Sequence, residues 1–536
     1  MARLKPHEVI KRSSLALTRK DDWRQIYQEC YEYALPQRNL YDGMYEAGVA
    51  GQKKMQKVFD STAIDSTQRF ANRIQSGLFP PYRVWCRLQA GTAIPDNMKG
   101  NTQIILDAYT ERMFNVFRQT NFDLAMSEFL LDLSVGTAVM LIQSGDEETP
   151  IRFTPVPQYL VALEEGPHGT VDNVYRKLRV PGEAIMRQWK DAKIPADIQA
   201  AIERKPQDAI EFIEASIYDR QTGMYNYHVI HEKGKQEIVY RSSKSSAWVV
   251  ARYMKVAGEV YGRGPLVSAM PDVKTLNKTM ELILKNASLA IAGVYTAADD
   301  GVLNPQTVRI QPGAVIPVAR NGGPTGPSLQ PLQKAADFNV SQLVLNDLRM
   351  NIKKMLLDDT LPPDNMSARS ATEIVQRTKE LAQNLGSAFG RLITEAMTPI
   401  VRRVLFLMDE QGIIDMPLKI NGAEVKIVPV SPLAQAQNMD EVNDVLQFMQ
   451  VLATMGPESQ IALKKDNVID YIANRLGVPA SLLTTQTERQ QIMMQMAEAA
   501  QAAAQQGMIP QAGTAPQQPT APPQLGNMQA LQGAMK

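Results

Sequence analysis

The histidines and the paired carboxylates are the residues of this chain that could bind a metal ion or transfer a proton. The histidines are His7, His168, His228 and His231. His228 and His231 lie three residues apart on a predicted strand, so their side chains point to opposite faces and are poor partners for one zinc ion. The pairs Asp299–Asp300 and Asp358–Asp359 fall in predicted loops without a converging partner, where we expect caps and solvated turns. The sequence therefore predicts no enzyme and no metal site.

A phosphate-binding loop would indicate ATP-driven chemistry. Its signature, Gly-x-x-x-x-Gly-Lys followed by Ser or Thr, does not occur in the sequence. Residues 48–54 contain glycines and lysines but lack the hydroxyl residue that completes such a loop. The apolar run Ala138–Ile142 before the carboxylates of residues 146–148 is only faintly similar to a strand that presents acidic groups to Mg²⁺. The sequence predicts neither nucleotide hydrolysis nor a cofactor.

Lys274, Lys278 and Lys285 lie close together on one side of a helix predicted for residues 267–295. At about 100° per residue the other side of this helix is apolar. It is formed by Val273, Leu276, Met280, Ile283, Leu284, Ala287 and Ile291. An apolar stripe packs against neighbouring helices, so the lysines would face water or phosphate. A lysine face that contacts only solvent is an equally open interpretation.

The segments around this helix predict a hairpin with an insert. Pro265 stands near the helix start, where a missing N–H is tolerated. Residues 297–334 are rich in Pro and Gly, and Val308–Ile310 could pair with Ala314–Ile316. A structureless loop of this length is unusual in a folded domain, so we expect a small rigid module, with a floppy surface insertion as the alternative. A second helix is predicted for residues 338–357.

A loop and a long helix follow the hairpin. Pro362 and Pro363 block continuation of the second helix. Ser370, with Glu373 three residues later, matches the capping-box pattern and should start a new helix. Pro399 predicts a kink in that helix, and Gly412 predicts its end.

The remaining segments differ in the period of their apolar residues. Residues 1–145 are predicted to be mainly helical, with Leu124–Ile142 as one amphipathic stretch interrupted by Gly136. Residues 151–256 change to period two, which predicts strands, with a hairpin turn at Asp219–Gly223. Helices resume at 439–455 and 460–476. From residue 491 the composition collapses to Gln, Ala, Met, Pro and Gly, which predicts a frayed helix followed by disorder.

Length and charge limit the function classes further. A chain of 536 residues is too long for one compact core, so more than one domain is expected. Lys and Arg total 57 against 56 Asp and Glu, a net charge of +1. A dedicated nucleic-acid binder usually carries a basic excess, so any DNA contact should be weak or local. Two cysteines, no membrane-length apolar run and no signal-peptide pattern predict a protein made in the cytoplasm, without membrane association.

An ordered set of short motifs resembles a known family. Tyr261–Pro265 precedes the lysine-bearing helix, and 334–338 precedes the second helix. Leu78–Pro80 precedes Trp85–Leu88, and Ala371–Ile374 opens the long helix. In this order, and with the Gln/Ala/Met-rich tail and the overall length, they resemble the portal, or head-to-tail connector, proteins of short-tailed double-stranded DNA bacteriophages. The resemblance spans most of the chain. None of these motifs is highly specific alone.

The resemblance implies an α+β, mainly helical fold with the phage portal architecture of wing, two-helix stem, clip and crown, closed into a ring that is usually dodecameric. The implied wing comprises residues 1–266, helical over 1–145 and β-rich over 146–260, and also a long kinked helix and the following strand at 370–428. The implied stem helices are 267–295 and 338–357, with the clip between them at 296–337 and a channel loop after them at 358–369. A helical crown at 429–490 and a low-complexity, disordered tail at 491–536 complete the chain.

The resemblance also implies a function and partners. The ring would stand at one capsid vertex of the virion as the conduit through which double-stranded DNA is packaged and ejected. It would hold DNA weakly and without sequence preference, dock the terminase large subunit and later tail adaptor proteins, and nucleate procapsid assembly with major capsid and scaffolding proteins. Another structural virion protein, such as a tail adaptor or internal core protein, is the alternative, and a nucleic-acid enzyme is a more distant one.

Three groups of residues are candidates for these contacts. The DNA-channel candidates are Lys274, Lys278, Lys285 and Arg369. The channel-loop candidates are Leu361, Pro362, Pro363 and Asn365. The candidates for docking terminase or tail proteins in the clip are Arg309, Arg320 and Asn321. No catalytic residue, metal ligand or cofactor is expected.

Overall fold

A computed structural model describes most of the chain, in two units that comprise residues 1–479 and 480–536. The described residues are 3–38, 54–146, 148–292, 295–297, 329–331, 338–358, 380–416, 420, 422–454, 465–476, 478, 484, 488 and 491–498. In the second unit, residues 491–498 are helical and exposed, as expected for a frayed helix. All other elements below belong to the first unit.

The N-terminal region is mainly helical, as predicted, with two strands that the sequence pattern did not reveal. Its helices are α1 (Pro6–Asp21), α2 (Arg24–Ala34), α3 (Thr62–Leu78), α4 (Asp96–Gln119) and α5 (Phe122–Val135), and its strands are β1 (Cys86–Ala90) and β2 (Thr137–Ser144). The prediction of one interrupted helix over Leu124–Ile142 was wrong after Gly136, whose φ is +149°. Residues 137–142 are all buried, and an apolar run buried on both faces has no strand period to reveal it.

The predicted change to strands after residue 150 is confirmed. The strands are β3 (Ile151–Val156), β4 (Val161–Glu165), β5 (Val171–Pro181), β6 (Ala209–Asp219), β7 (Met224–His231), β8 (Gln236–Ser243) and β9 (Trp248–Arg252). Within the described residues, β2 is the central strand of a sheet ordered β3-β2-β9, and a second antiparallel sheet has the order β4-β5-β6-β7-β8. The Asp219–Gly223 turn joins β6 to β7, with φ +68° at Gly223.

The second sheet is covered on both faces. On one face α1 buries Val9 and Ala16 against Tyr175 and Ile230. On the other face lie two short helices, α6 (Ile185–Gln188) and α7 (Ala196–Arg204). Both helices lie between β5 and β6 in the chain. Trp189, just after α6, packs there against Phe212. Because successive side chains of β6 point to opposite faces of the sheet, its apolar residues pack against both helical layers.

The hairpin that carries the lysines is formed by α8 (Pro265–Ala292) and α9 (Phe338–Met355). The first helix ends three residues earlier than predicted, and Tyr295 begins the short strand β10 (Tyr295–Ala297) instead. This strand pairs antiparallel with β11 (Leu329–Pro331) at the outer end of the hairpin. The predicted pairing of residues 308–310 with 314–316 lies outside the described residues.

The long helix after the hairpin is confirmed from residue 380 onward, but it is not continuous. Residues 380–385 are helical, Gly386 has φ +46°, and α10 (Ser387–Leu392) follows. A π-helical turn at Ile393–Met397 then precedes α11 (Thr398–Glu410). Pro399 stands in the first turn of α11, where its missing N–H is harmless. Gly412, with φ +72°, follows the end of α11 as predicted.

In the residues that the structure describes, the C-terminal part of the first unit consists of one strand, which pairs with β1, and two helices. Strand β12 (Val425–Pro429) pairs with β1, joining residues more than 300 positions apart. It is followed by α12 (Pro432–Thr454) and α13 (Lys465–Leu476). No helix among the described residues is long and apolar enough to cross a membrane.

Candidate functional site

The Tyr261–Pro265 motif fixes the start of α8 on the body of the protein. Tyr261 is buried, and its hydroxyl accepts the backbone N–H of Leu163 at 3.1 Å. The Gly262 N–H donates to the Thr137 hydroxyl at 2.8 Å, and the Tyr27 hydroxyl donates to the Gly262 carbonyl at 2.8 Å. Burial raises the pKa of Tyr27 well above its ordinary value, so this hydroxyl remains a donor. The motif has a structural role in orienting the helix.

The glycines of this motif allow two backbones to touch. A Cβ placed on Gly262 would lie 2.3 Å from the Gly136 carbonyl oxygen, and a Cβ on Gly264 would lie 2.0 Å from that of Ser134. The contacted atoms belong to backbone, so they cannot move aside as a flexible side chain can. The end of α5 and the start of α8 therefore pack more closely than any larger residue would allow.

Beside the motif, a buried arginine joins the strands to the π-helical turn. The Arg252 side chain is only 1% exposed. Its Nη2 lies 2.7 Å from Glu395 Oε1, and its Nε and backbone N–H both donate to Glu395 Oε2, at 3.2 and 2.9 Å. Glu395 lies within the π-helical turn. A two-point guanidinium–carboxylate contact in a buried position fixes geometry strongly. Sequence reasoning missed this pair because 143 positions separate its members.

The helices α8 and α9 are both anchored on the segment that precedes α3. Asn277 on α8 is buried, and its Oδ1 accepts the backbone N–H groups of Phe59 and Asp60, at 2.9 and 3.2 Å. Arg349 on α9 donates to the Asp60 carboxylate from Nε at 3.0 Å and from Nη2 at 2.8 Å. Both helices therefore contact the same residue, just before α3. The hydrogen bond from Thr62 and the contact with Arg349 hold the pKa of Asp60 below its usual value, although partial burial opposes them.

Asp358, which follows α9, is anchored on α3. Its side chain is only 1% exposed, and its carboxylate accepts the Ser66 hydroxyl at 2.9 Å and lies 3.4 Å from Nη2 of Arg73. Arg73 also donates to the Leu357 carbonyl, and Leu357 has φ +56°. The expectation of a solvated turn was wrong for Asp358, because its partners lie in a distant part of the sequence. The buried ion pair of Asp358 with Arg73 fixes the direction in which the chain leaves α9.

The three lysines of α8 share their surface with two glutamates. Lys274 Nζ lies 3.0 Å from Glu29 Oε1 on α2. Glu281 lies between the other two lysines, with Lys278 Nζ 3.0 Å from Oε2 and Lys285 Nζ 2.5 Å from Oε1. We call these five residues the lysine face. Hydrogen bonds from Lys285 and Lys278 hold the pKa of Glu281 below its usual value. The hydrogen bond that Lys274 donates to Glu29 raises the pKa of Lys274.

The lysine face is open to solvent, while part of the apolar stripe behind it is buried. The Lys278 and Lys285 side chains are both 65% exposed. Val273 and Leu276 are buried as predicted, whereas Leu284 is 49% exposed in the single chain. The face can contact an extended anion without rearrangement of the fold.

The histidines do not form a site. His228 is buried, with Nδ1 2.6 Å from Glu237 Oε1. His231 instead accepts the Gly234 N–H at 3.2 Å, so the two rings have separate neighbours, as the strand period predicted. Throughout the described ranges, no three His, Cys, Asp or Glu side chains are grouped closely enough to hold a metal ion.

The other candidate residues cannot be placed. Arg369, the channel-loop residues Leu361, Pro362, Pro363 and Asn365, and the clip residues Arg309, Arg320 and Asn321 lie outside the described residues. Of the predicted DNA-contact residues, only the three lysines of α8 have a described environment. Glu281 could have been found from the sequence, because it stands three residues after Lys278 and four before Lys285. Glu29 could not, since it lies 245 positions from Lys274.

Comparison with known protein families gives one match that spans most of the chain. Residues 7–483 match the model of the family described as bacteriophage head to tail connecting protein. The matched range contains all of the strands named above and the helices α2 to α13, and with them the hairpin and the lysine face.

Individual relatives are similar over nearly the whole length. The chain is 23% identical to a probable portal protein of Bordetella phage BPP-1, covering 92% of this chain and 91% of that protein. It is 24% identical to the portal protein of Salmonella phage epsilon15, with 84% of each covered, and 22% identical to that of Escherichia phage T7, with 90% of each covered. A chain in the virion of a native gene transfer agent particle is 12% identical over 81% of this chain and 96% of its own, at a TM-score of 0.33.

Proposed function

The chain belongs to the bacteriophage head-to-tail connecting proteins, and from this premise we propose that it is the portal of its virion, the conduit at one capsid vertex through which double-stranded DNA is packaged and later ejected. The observation that carries the proposal is the family match over residues 7–483. The similarity to three phage portal proteins over 84–92% of this chain supports it. A structural role, without catalysis, follows from the same membership.

The conduit would be a ring of identical copies, with twelve as the expected number. Its wall would be formed by the α8–α9 hairpin. The 28 residues of α8 span about 42 Å at 1.5 Å per residue, a length suited to lining a channel. The wing would comprise residues 1–266 with 370–428, and the crown residues 429–490. Electron microscopy of the purified full chain tests this proposal. A ring with an open centre is expected, and a protein that remains monomeric under every assembly condition would contradict it.

We further propose that the lysine face lines the channel. Its support is the exposure of the lysines and their position on the predicted wall helix. Exposed ammonium groups attract phosphates without reading sequence. With a net charge of +1 for the whole chain, contacts would be few for each copy, so DNA could slide. Arg369 and the loop at 358–369 would add contacts from the end of α9.

Docking of partners is proposed for the insert between the two hairpin helices. The terminase large subunit, and later tail adaptor proteins, would bind residues 296–337 through Arg309, Arg320 and Asn321, while capsid and scaffolding proteins would contact the outer parts of the ring. This proposal rests on the family alone. Its test is a chain shortened within residues 305–327, which should form rings that no longer bind the terminase large subunit. Undiminished binding would exclude the insert as the docking site.

A further inference from the structure

Glu281 holds a position on the lysine face that its neighbours do not share. Its two carboxylate oxygens each accept a hydrogen bond from a different lysine, Lys278 on one side and Lys285 on the other. Its own side chain is 20% exposed, whereas each of those lysines is 65% exposed. The carboxylate therefore bridges two lysines whose side chains remain accessible to an approaching anion.

The two glutamates remove most of the positive charge of the lysine face. Three lysines and two glutamates leave a net charge of one for each copy. Glu281 accounts for half of that reduction, and it is the member of the face that contacts two lysines. Ion pairs this exposed contribute little to stability, so they do not lock the lysines in place. What Glu281 changes is the electrostatic potential that a phosphate meets.

We propose that Glu281 sets how strongly the channel holds DNA, by opposing the attraction of Lys278 and Lys285 for the phosphate backbone. This inference rests on the proposed placement of the lysine face in the channel. Each phosphate that a protein neutralises makes binding tighter and more dependent on salt. A conduit must attract DNA enough to guide it and must release it at every step. A carboxylate placed between two lysines lowers the attraction without removing either cation.

The substitution Glu281→Gln tests this inference on assembled rings of the full chain. It keeps the size and hydrogen-bonding capacity of the side chain and removes its charge. We expect rings to form normally and to bind a short linear double-stranded DNA about three- to tenfold more tightly. The slope of the logarithm of affinity against the logarithm of salt concentration should steepen by about one to two units, because each added phosphate contact contributes about 0.9.

Glu203→Gln is the matched control. Glu203 lies on α7, where its carboxylate accepts a hydrogen bond from Gln199, and its replacement changes the net charge of the chain by the same amount as Glu281→Gln. We expect it to leave DNA affinity nearly unchanged. An equal effect of both substitutions would show that only total charge matters, and it would overturn the proposal.

The triple substitution Lys274→Gln, Lys278→Gln and Lys285→Gln separates this inference from the function on which it rests. If the triple variant binds DNA more weakly while Glu281→Gln behaves as the parent protein, the role of Glu281 is excluded and the lysine face stands. If neither variant changes DNA binding by intact rings, the lysine face does not contact DNA, and both proposals fail.

Discussion

At the scale of single residues, the ion pairs described above are of two kinds, pairs exposed to solvent and pairs with a buried member. Asp358 is a buried acceptor of arginine, and Glu395, which is 17% exposed, accepts the buried Arg252. Both pairs join segments far apart in the sequence. Removing one partner of such a pair leaves a buried charge uncompensated, which costs more than the pair contributes. The lysine face differs, because its ion pairs are exposed to solvent. Each lysine there can leave its glutamate and bind a phosphate.

Lys20 is a buried lysine whose ammonium group contacts backbone carbonyls. Its Nζ donates to the carbonyl oxygens of Gln158 and Tyr159, at 2.6 and 2.5 Å. Burial lowers its pKa to about 7, and the nearby charge of Asp21 opposes this only in part. The unfolded chain, where the pKa of lysine is near 10.4, therefore binds more protons than the folded chain between these two values. Stability should rise with pH in this window.

The substitution Lys20→Met isolates that contribution. Below pH 7 Lys20 is charged in both states, so its cost to folding is greatest there. Between pH 7 and 9 the parent protein should gain up to about 1 kcal/mol of stability per pH unit relative to the variant. Chemical unfolding of both proteins at several pH values measures this difference. A difference that does not change with pH would show that Lys20 keeps its ordinary pKa when folded.

At the scale of elements, the sequence predicted those whose apolar residues have a clear period. The predicted ends of α8 and α9 lie within three residues of the observed ends, because one side of each helix is apolar and packs against the rest of the first unit. Strand β2 was missed because both of its faces are buried. The π-helical turn at Ile393–Met397 has no signal in the apolar pattern, and its Glu395 contacts Arg252, which is 143 positions away in the sequence. Contacts between distant segments, such as Asp358 with Ser66, could not be predicted from spacing at all.

The junction between α5 and α8 makes a prediction about the hairpin as a unit. In Gly264→Ala the new Cβ would lie 2.0 Å from the Ser134 carbonyl oxygen and 2.5 Å from its carbon. The start of α8 must then move, at a cost of about 1–3 kcal/mol for overpacking. Thermal unfolding of the purified chain should show a lower midpoint, and formation of the proposed ring should be reduced because α8 is displaced.

Gly100→Ala is the control for that experiment. Gly100 lies within α4, and a Cβ there meets nothing within 4 Å. Alanine in an exposed helical position is favoured over glycine by about 1 kcal/mol, so this variant should be as stable as the parent protein or more stable. If Gly264→Ala unfolds at the same temperature as Gly100→Ala, the close approach of α5 and α8 does not constrain the hairpin.

At the scale of the whole molecule, near-neutral charge is compatible with a protein that encloses DNA. A strongly basic surface repeated around a ring would neutralise many phosphates together, and affinity would rise with each one. This chain carries a net charge of +1, and its lysine face carries a similarly small net charge. In the proposed ring, symmetry would distribute weak attraction evenly around the channel. Guidance would come from enclosure by many copies, and the charge would only have to keep the duplex near the axis.

Loss of the positive charges of the lysine face should change how a virion packages or retains its DNA. With Lys274, Lys278 and Lys285 all replaced by Gln, each copy keeps Glu29 and Glu281, so the face becomes negative and repels the duplex. Rings should still form, because exposed lysines contribute little to stability. Packaging of DNA or its retention in the capsid should change, measured as the length of protected DNA per particle. Particles that fill and keep their DNA as the parent does would contradict a role of this face in the channel. Replacing Glu29 and Glu281 by Gln in the same chain should restore most of the lost function if charge is the cause.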